Sequence, residues 1–126
     1  MLLVDTSAWV DWLAGSAAGG RIGAMLPPRG QWLVPTIVQL ELMKWLLREE
    51  GEDAADQVAA YTQRCVIAPL STRIALAAAD LCHTCKLATA DAIVYATAQE
   101  HGASLLTCDA HFKGLPGVEF VAKSKA

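Results

Sequence analysis

LLVDTSAWV, residues Leu2 to Val10, opens the chain with three apolar residues that run straight into an acid and two hydroxyls. A short all-apolar run suits a parallel strand covered on both faces. Its ending on Asp5, Thr6 and Ser7 has two physical explanations. These residue types satisfy the free amides at a helix start. Acids just beyond strand ends also line the ligand crevice of open α/β sheets. One acid leaves both standing; the choice depends on whether other acids arrive at equivalent places.

Working outward, strand-like and helix-like runs alternate. Leu2–Val4, Trp32–Val34, Val66–Ala68, Ser104–Thr107 and Val118–Val121 predict four to five strands. Ser7–Ala14 predicts a helix stopped by Gly15 and capped by Thr6 or Ser7, with SAAGG (16–20) a loop and Arg21–Leu26 a short helix ended by Pro27 and Pro28. Thr36-x-x-Gln39 has the pattern of a capping box opening a helix from Ile37 to Glu50. Glu52–Arg64 predicts another helix, Ser71 caps one reaching Cys85, and Thr89 caps Ala90–Glu100. The alternation predicts a single three-layer α/β/α domain over residues 1–121 with a mainly parallel sheet, followed by a C-terminal tail at 122–126.

Composition bounds the function. A chain of 126 residues can bury one ordinary core. Hydrophobic residues reach 54% and mean hydropathy is +0.33, which hints at apolar surface kept for a partner. No apolar run reaches the ~18 residues of a membrane helix, and Asp5 interrupts any signal-like start. A cytoplasmic protein is expected. The net charge of −3 decides little, because neutralising four of the thirteen acids with a metal would leave the rest at +1. Cys82-His83-Thr84-Cys85 lies late in a predicted helix without a second pair at zinc-ribbon spacing, so it reads as structural.

The carboxylates fall on this map in order. Asp5 follows the first strand, and Asp109 follows the fourth in LLTCDAHF (105–112), again apolar run, hydroxyl, acid. Glu41 lies near the start of the helix after the second strand, and Asp91 lies in the first turn of the helix capped by Thr89. Their separations of 36, 50 and 18 residues place one acid per structural unit, all on one rim of a parallel sheet. Each has a plainer role open to it: cap, helix-dipole partner, solvated helix acid paired with Lys44 or Arg48, or turn residue. Two carboxylates ~5 Å apart repel by roughly 3 kcal/mol at an effective dielectric near 20, so a cluster needs a cation. All-oxygen donors suit Mg²⁺ or Mn²⁺, and such ions serve phosphodiester hydrolysis. Nucleotide-cradling glycine motifs and H-E-x-x-H are absent, and His111 lies near Asp109 without an assigned role.

The order Asp5-Thr6-Ser7, Glu41, Ala90-Asp91-Ala92-Ile93 and Leu105-Leu106-Thr107-Cys108-Asp109-x-x-Phe112 resembles the PIN-domain ribonucleases, in particular the VapC toxins of type II toxin–antitoxin modules. The likeness runs from Leu2 to about Val121. It implies Asp5, Glu41, Asp91 and Asp109 as a catalytic, metal-binding quartet, with Thr107 and Thr6 or Ser7 as supporting hydroxyls. It also implies Mg²⁺ or Mn²⁺ as cofactor, and an endoribonuclease that leaves a 5′-phosphate and a 3′-hydroxyl on structured RNA such as tRNA. A homodimer and a cognate VapB-like antitoxin are the implied partners. Trp9, Trp12 and Trp45 are candidates for partner surface, with core burial the plainer role for each, and Arg21, Arg48, Arg73 and Lys86 are candidates for steering RNA, with ordinary solvated surface the plainer role for each. The rivals are a PIN-like module that binds without cutting, a receiver-like signalling domain, and a thiol redox protein. The receiver lacks its acceptor acid and lysine, since Asp53 and Asp56 lie in a predicted helix and Lys123 in the tail.

Overall fold

The computed structural model describes residues 1–123; the last three positions of the expected tail, 124–126, lie outside the described residues. Five strands run in the order β1 (Leu2–Val4), β2 (Trp32–Pro35), β3 (Val66–Ala68), β4 (Ser104–Thr107) and β5 (Val118–Phe120). The helices are α1 (Thr6–Ala14), α2 (Ala17–Met25), α3 (Thr36–Glu49), α4 (Glu52–Thr62), α5 (Thr72–Thr84) and α6 (Thr89–Glu100). Every strand pairing is parallel and the sheet order is β3-β2-β1-β4-β5. The chain therefore steps outward from β1 in one direction, then returns to β4 and steps the other way. With the right-handed crossovers general to parallel sheets, that reversal sets helices on both faces and gives the expected three layers.

The reversal also opens a crevice beyond the carboxyl ends of β1 and β4. Leu2, Leu3 and Val4 pair with Ser104, Leu105 and Leu106, and the register continues one residue further as the Asp5 amide donates to the Leu106 carbonyl at 2.9 Å. Leu3, Leu33, Leu105 and Leu106 are fully buried, as expected for central strands covered on both faces. Helix α6 is buried over Ala92–Ala98 and holds the sheet from one side.

Several capping expectations are corrected. Thr6, Thr36 and Thr89 are not caps: each is the first helical residue, behind Asp5, Pro35 and Ala88, and none of those three makes a side-chain cap bond. Ser7 lies one residue further into α1. Gln39 does not close a capping box either; its Nε2 donates to Thr62 Oγ1 at 3.1 Å and ties α3 to α4. Ser71 does cap α5, accepting from the Ile74 amide. Of the expected loop at 16–20, residues 17–20 are helical, because Ser16 caps α2 by accepting from the Gly19 amide with its Oγ. Gly19 permits that packing: a Cβ would lie 2.2 Å from the Asp11 carbonyl oxygen of α1.

The tryptophans are mostly packed inward, the plainer of their two roles. Trp9 is core, and Trp12 is half-buried beside it. Trp9, Trp12, Trp32 and Tyr61 form one cluster with ring centroids 4.8 to 6.0 Å apart. Of the basic residues named above, Arg48 and Arg73 pair with Glu49 and Glu100, and Arg21 donates to the Ala122 carbonyl. Lys86 is exposed, with φ of +58°. Cys82 and Cys85 are free at the end of α5. No described helix is long and apolar enough to cross a membrane.

Candidate active site

Asp5 leaves β1 at 6% exposure with its backbone serving as the start of α1. Its carbonyl accepts from the Ala8 and Trp9 amides, so the helix is satisfied by main chain and the side chain is released for other work. That carboxylate takes two hydroxyl hydrogen bonds on Oδ2, from Thr107 at 2.8 Å and Ser7 at 3.0 Å. Burial pushes its pKa up to about 6, against the opposing pull of the Thr107 and Ser7 hydrogen bonds. The Glu41 charge pushes in the same direction as burial, more weakly.

Thr107 couples the two strand ends. Its hydroxyl donates to Asp5 and accepts from the Asp109 amide at 2.9 Å, so one side chain fixes both acids. Ser7 adds a second tie, accepting from the Cys108 amide at 3.0 Å. Thr6 donates to Glu41 Oε1 at 2.8 Å and holds the α3 acid against the start of α1. The two hydroxyls after Asp5 thus brace acids rather than cap the helix. Cys108 is buried among these groups, and burial pushes its thiol up to about 12, which keeps it a thiol and removes it from nucleophilic chemistry.

Asp109 performs its turn role and its site role together. Its Oδ1 accepts from the His111 amide at 2.9 Å and starts a short 3₁₀ turn over Ala110–Phe112, anchored by the fully buried Phe112. The turn carries the His111 ring to Asp91, which projects from the first turn of α6. His111 Nδ1 lies 3.2 Å from Asp91 Oδ2 and 3.3 Å from Asp109 Oδ1. Ligand atoms of Asp91, Asp109 and His111 all fall within 4.8 Å of one another. Asp91 has its pKa raised by burial first and by the Asp109 charge second, against the lowering effect of His111.

The four acids expected at one rim are therefore divided. Asp91 and Asp109 share the tight group with His111; outside it, Asp5 is tied to the Asp109 backbone through Thr107, and Glu41 is held at the start of α1 by Thr6. His111 is the residue whose place sequence reasoning left unassigned. Its signal was its position two residues past Asp109, where a three-residue turn brings the ring back over the acid. Carboxylates with raised pKa values in a crevice form an electrostatically costly arrangement that a hard divalent cation would relieve. The donor set fits such an ion.

A search of curated proteins finds no match to the chain. The model of the PIN domain family matches residues 2–118. Among solved structures, the chain is similar to a chain of the toxin–antitoxin complex from Klebsiella pneumoniae, at 28% identity and a TM-score of 0.83, covering 94% of this chain and 96% of that one. It is similar in fold to VapC20 from Mycobacterium tuberculosis, a toxin that cleaves the sarcin–ricin loop, at 23% identity and a TM-score of 0.77, covering 96% and 99%. VapBC2 from Rickettsia felis, bound to a promoter DNA fragment, shares the fold at 16% identity and 0.74, covering 95% and 98%. The acids at the β1/β4 switch point thus sit on the framework that the family match describes, and the chain belongs to the PIN domain family.

Proposed function

We propose that this chain is a Mg²⁺- or Mn²⁺-dependent endoribonuclease that cuts structured RNA such as tRNA, leaving a 5′-phosphate and a 3′-hydroxyl. In this reading it is the VapC-type toxin of a toxin–antitoxin pair, acts in the cytoplasm as a homodimer, and is restrained by a VapB-like antitoxin. The observation that carries the reading is the bracing of Asp5 and Asp109 by the single Thr107 hydroxyl at the switch point of a PIN domain, with Asp91 facing Asp109.

Asp5, Asp91 and Asp109 would hold the ion, and Glu41 would join them or orient the attacking water. A divalent ion held there supplies a polarised phosphodiester, an activated water and a stabilised leaving oxygen. The residues around it contribute position. Thr107 and Ser7 fix Asp5 in one rotamer by two hydrogen bonds to the same oxygen. Thr6 holds Glu41, so its free oxygen has a fixed origin from which to receive a hydrogen bond from water. Lys86 lies beside the site in a cleft of about 210 Å³ shared with His111, a position suited to an incoming phosphate.

Two apolar patches support the proposed partners. Leu40 and Leu47 of α3 are more than half exposed, and Trp45 and Leu46 of the same helix line a depression with Leu13 and Val58. On the other patch, Leu70 lines a cleft of about 400 Å³ with Ala75, Ala78, Cys82 and Ile93, and Leu76 of α5 is exposed. That is surface for an antitoxin and for a second copy. The resemblance to a toxin–antitoxin complex at 28% identity supports the same pairing.

The test is incubation of the purified chain with tRNA and with ribosomal RNA, with added Mg²⁺ or Mn²⁺ and with EDTA. Cleavage that needs the ion and leaves 5′-phosphate ends supports the proposal. Cleavage that survives EDTA, or cyclic phosphate ends, contradicts it.

A further inference from the structure

His111 is not among the acids of the proposed nuclease site, yet among the described residues its ring makes polar contacts with two of them. The side chain is 72% exposed, and its described polar contacts are Asp91 Oδ2 at 3.2 Å and Asp109 Oδ1 at 3.3 Å, both made by Nδ1. Nδ1 is thus the ring atom aimed at both carboxylates, the place from which it could donate a lone pair to an ion between them. Three further observations fix the geometry. The His111 amide donates to Asp109, Phe112 next to it is fully buried, and Asp91 is carried by the buried helix α6. The three donor atoms therefore ride on rigid elements.

The two separations that involve Nδ1 match those between ligands of one ion. With ligand distances of about 2.1 Å, adjacent donors on an octahedron lie about 3.0 Å apart. The two nitrogen–oxygen separations here exceed that by only a few tenths of an ångström. The donor set has one nitrogen, Nδ1 of the His111 ring. Nitrogen donors suit Mn²⁺ and later metals better than they suit Mg²⁺, which demands oxygen.

We propose that His111 Nδ1 is a direct ligand of the ion held between Asp91 and Asp109, and that this nitrogen makes the site select Mn²⁺ over Mg²⁺. The inference rests on the metal-dependent reading given above and adds a residue and a selectivity to it.

Mn²⁺ is titrated into the purified chain and the bound fraction is followed by electron paramagnetic resonance. Pulsed spectra of the wild type should carry ¹⁴N modulation from a coordinated imidazole, absent from His111→Ala and His111→Gln. Because residue 111 is exposed, both variants should fold, which circular dichroism checks. Calorimetry should show Mn²⁺ affinity falling by at least roughly tenfold in His111→Ala, the lower bound set by loss of even an outer partner of a ligand. Mg²⁺ affinity should fall less. Bound Mn²⁺ without ¹⁴N modulation overturns the inference and leaves the metal-dependent nuclease intact; it would mean the ring leaves when the ion arrives. Modulation that persists in His111→Ala assigns the nitrogen to another residue and also overturns it. Failure to bind either ion overturns both readings.

Discussion

At the carboxyl end of β1, Asp5 is buried beside Thr107 and Ser7 with its pKa raised to about 6, so its charge is held at a cost. At the amino end of the neighbouring strand, Trp32 is buried against Trp9, Trp12 and Tyr61, and Arg29 lies 4.4 Å from the Tyr61 ring centroid. The aromatic end gains from apolar area and edge-to-face ring contacts. The acidic end spends that stability on placing charge. Even the aromatic end has a cost, since Trp9 Nε1 and Trp32 Nε1 are buried without an acceptor among the described residues. The comparison teaches that stability and chemistry are separable along this sheet, and substitutions at the two ends should separate them.

The largest expected effect on stability is at the aromatic end. Trp9→Ala should destabilise the fold by about 3–5 kcal/mol, read by urea denaturation. RNA cleavage per folded molecule should survive, because Trp9 belongs to no part of the acidic group. A variant that stays as stable as wild type would break the comparison.

The next effect belongs to the acidic end. Thr107→Val removes the hydroxyl that braces Asp5 and Asp109 while keeping the shape of a buried side chain. Cleavage should drop by roughly 10–100-fold, as for loss of an outer partner of a metal ligand. Loss of that hydrogen bond should also raise the Asp5 pKa further, moving the acidic limb of the cleavage pH profile upward. An unchanged rate and profile would show that Thr107 is only core.

The smallest effect sharpens the boundary. Arg29→Ala removes an exposed cation over Tyr61 and should cost about 0.5–1 kcal/mol, seen as a small shift of the urea midpoint. Cleavage should be unaltered. A large loss of activity would mean that the amino end takes part in substrate binding.

The sequence made the frame legible because the signals there are strong. Three all-apolar runs and two mostly apolar ones, separated by helical segments, left little freedom, and Val66–Ala68 and Ser104–Thr107 begin and end where expected. The acids were legible because a parallel sheet sends strand ends and helix starts to one edge. Local details were harder. Thr36 and Thr89 look like caps, but Pro35 and Ala88 already supply the extended backbone before each helix. Gly19 and Gly20 look like a loop until the close approach of α1 to α2 is known, since that contact is what requires a residue without a Cβ. His111 could not be assigned to Asp91 from sequence, because the two are 20 positions apart and meet only through tertiary structure.

The central claim is that Asp5 is held charged in a buried place for chemistry and against stability. The sign follows from linkage. Asp5 has a folded pKa of about 6 against an ordinary 3.8, so without metal the fold loses stability as pH rises between those values. The loss approaches ~3 kcal/mol, at 1.36 kcal/mol per pKa unit. Asp5→Asn is the most direct measurement, with thermal unfolding in EDTA and RNA cleavage in Mn²⁺ taken on one preparation at pH 7.5. The account predicts a variant that melts above wild type and does not cleave, with the gain in melting temperature vanishing below pH 4. A variant that melts below wild type at pH 7.5, or one that cleaves at the wild-type rate, would contradict it.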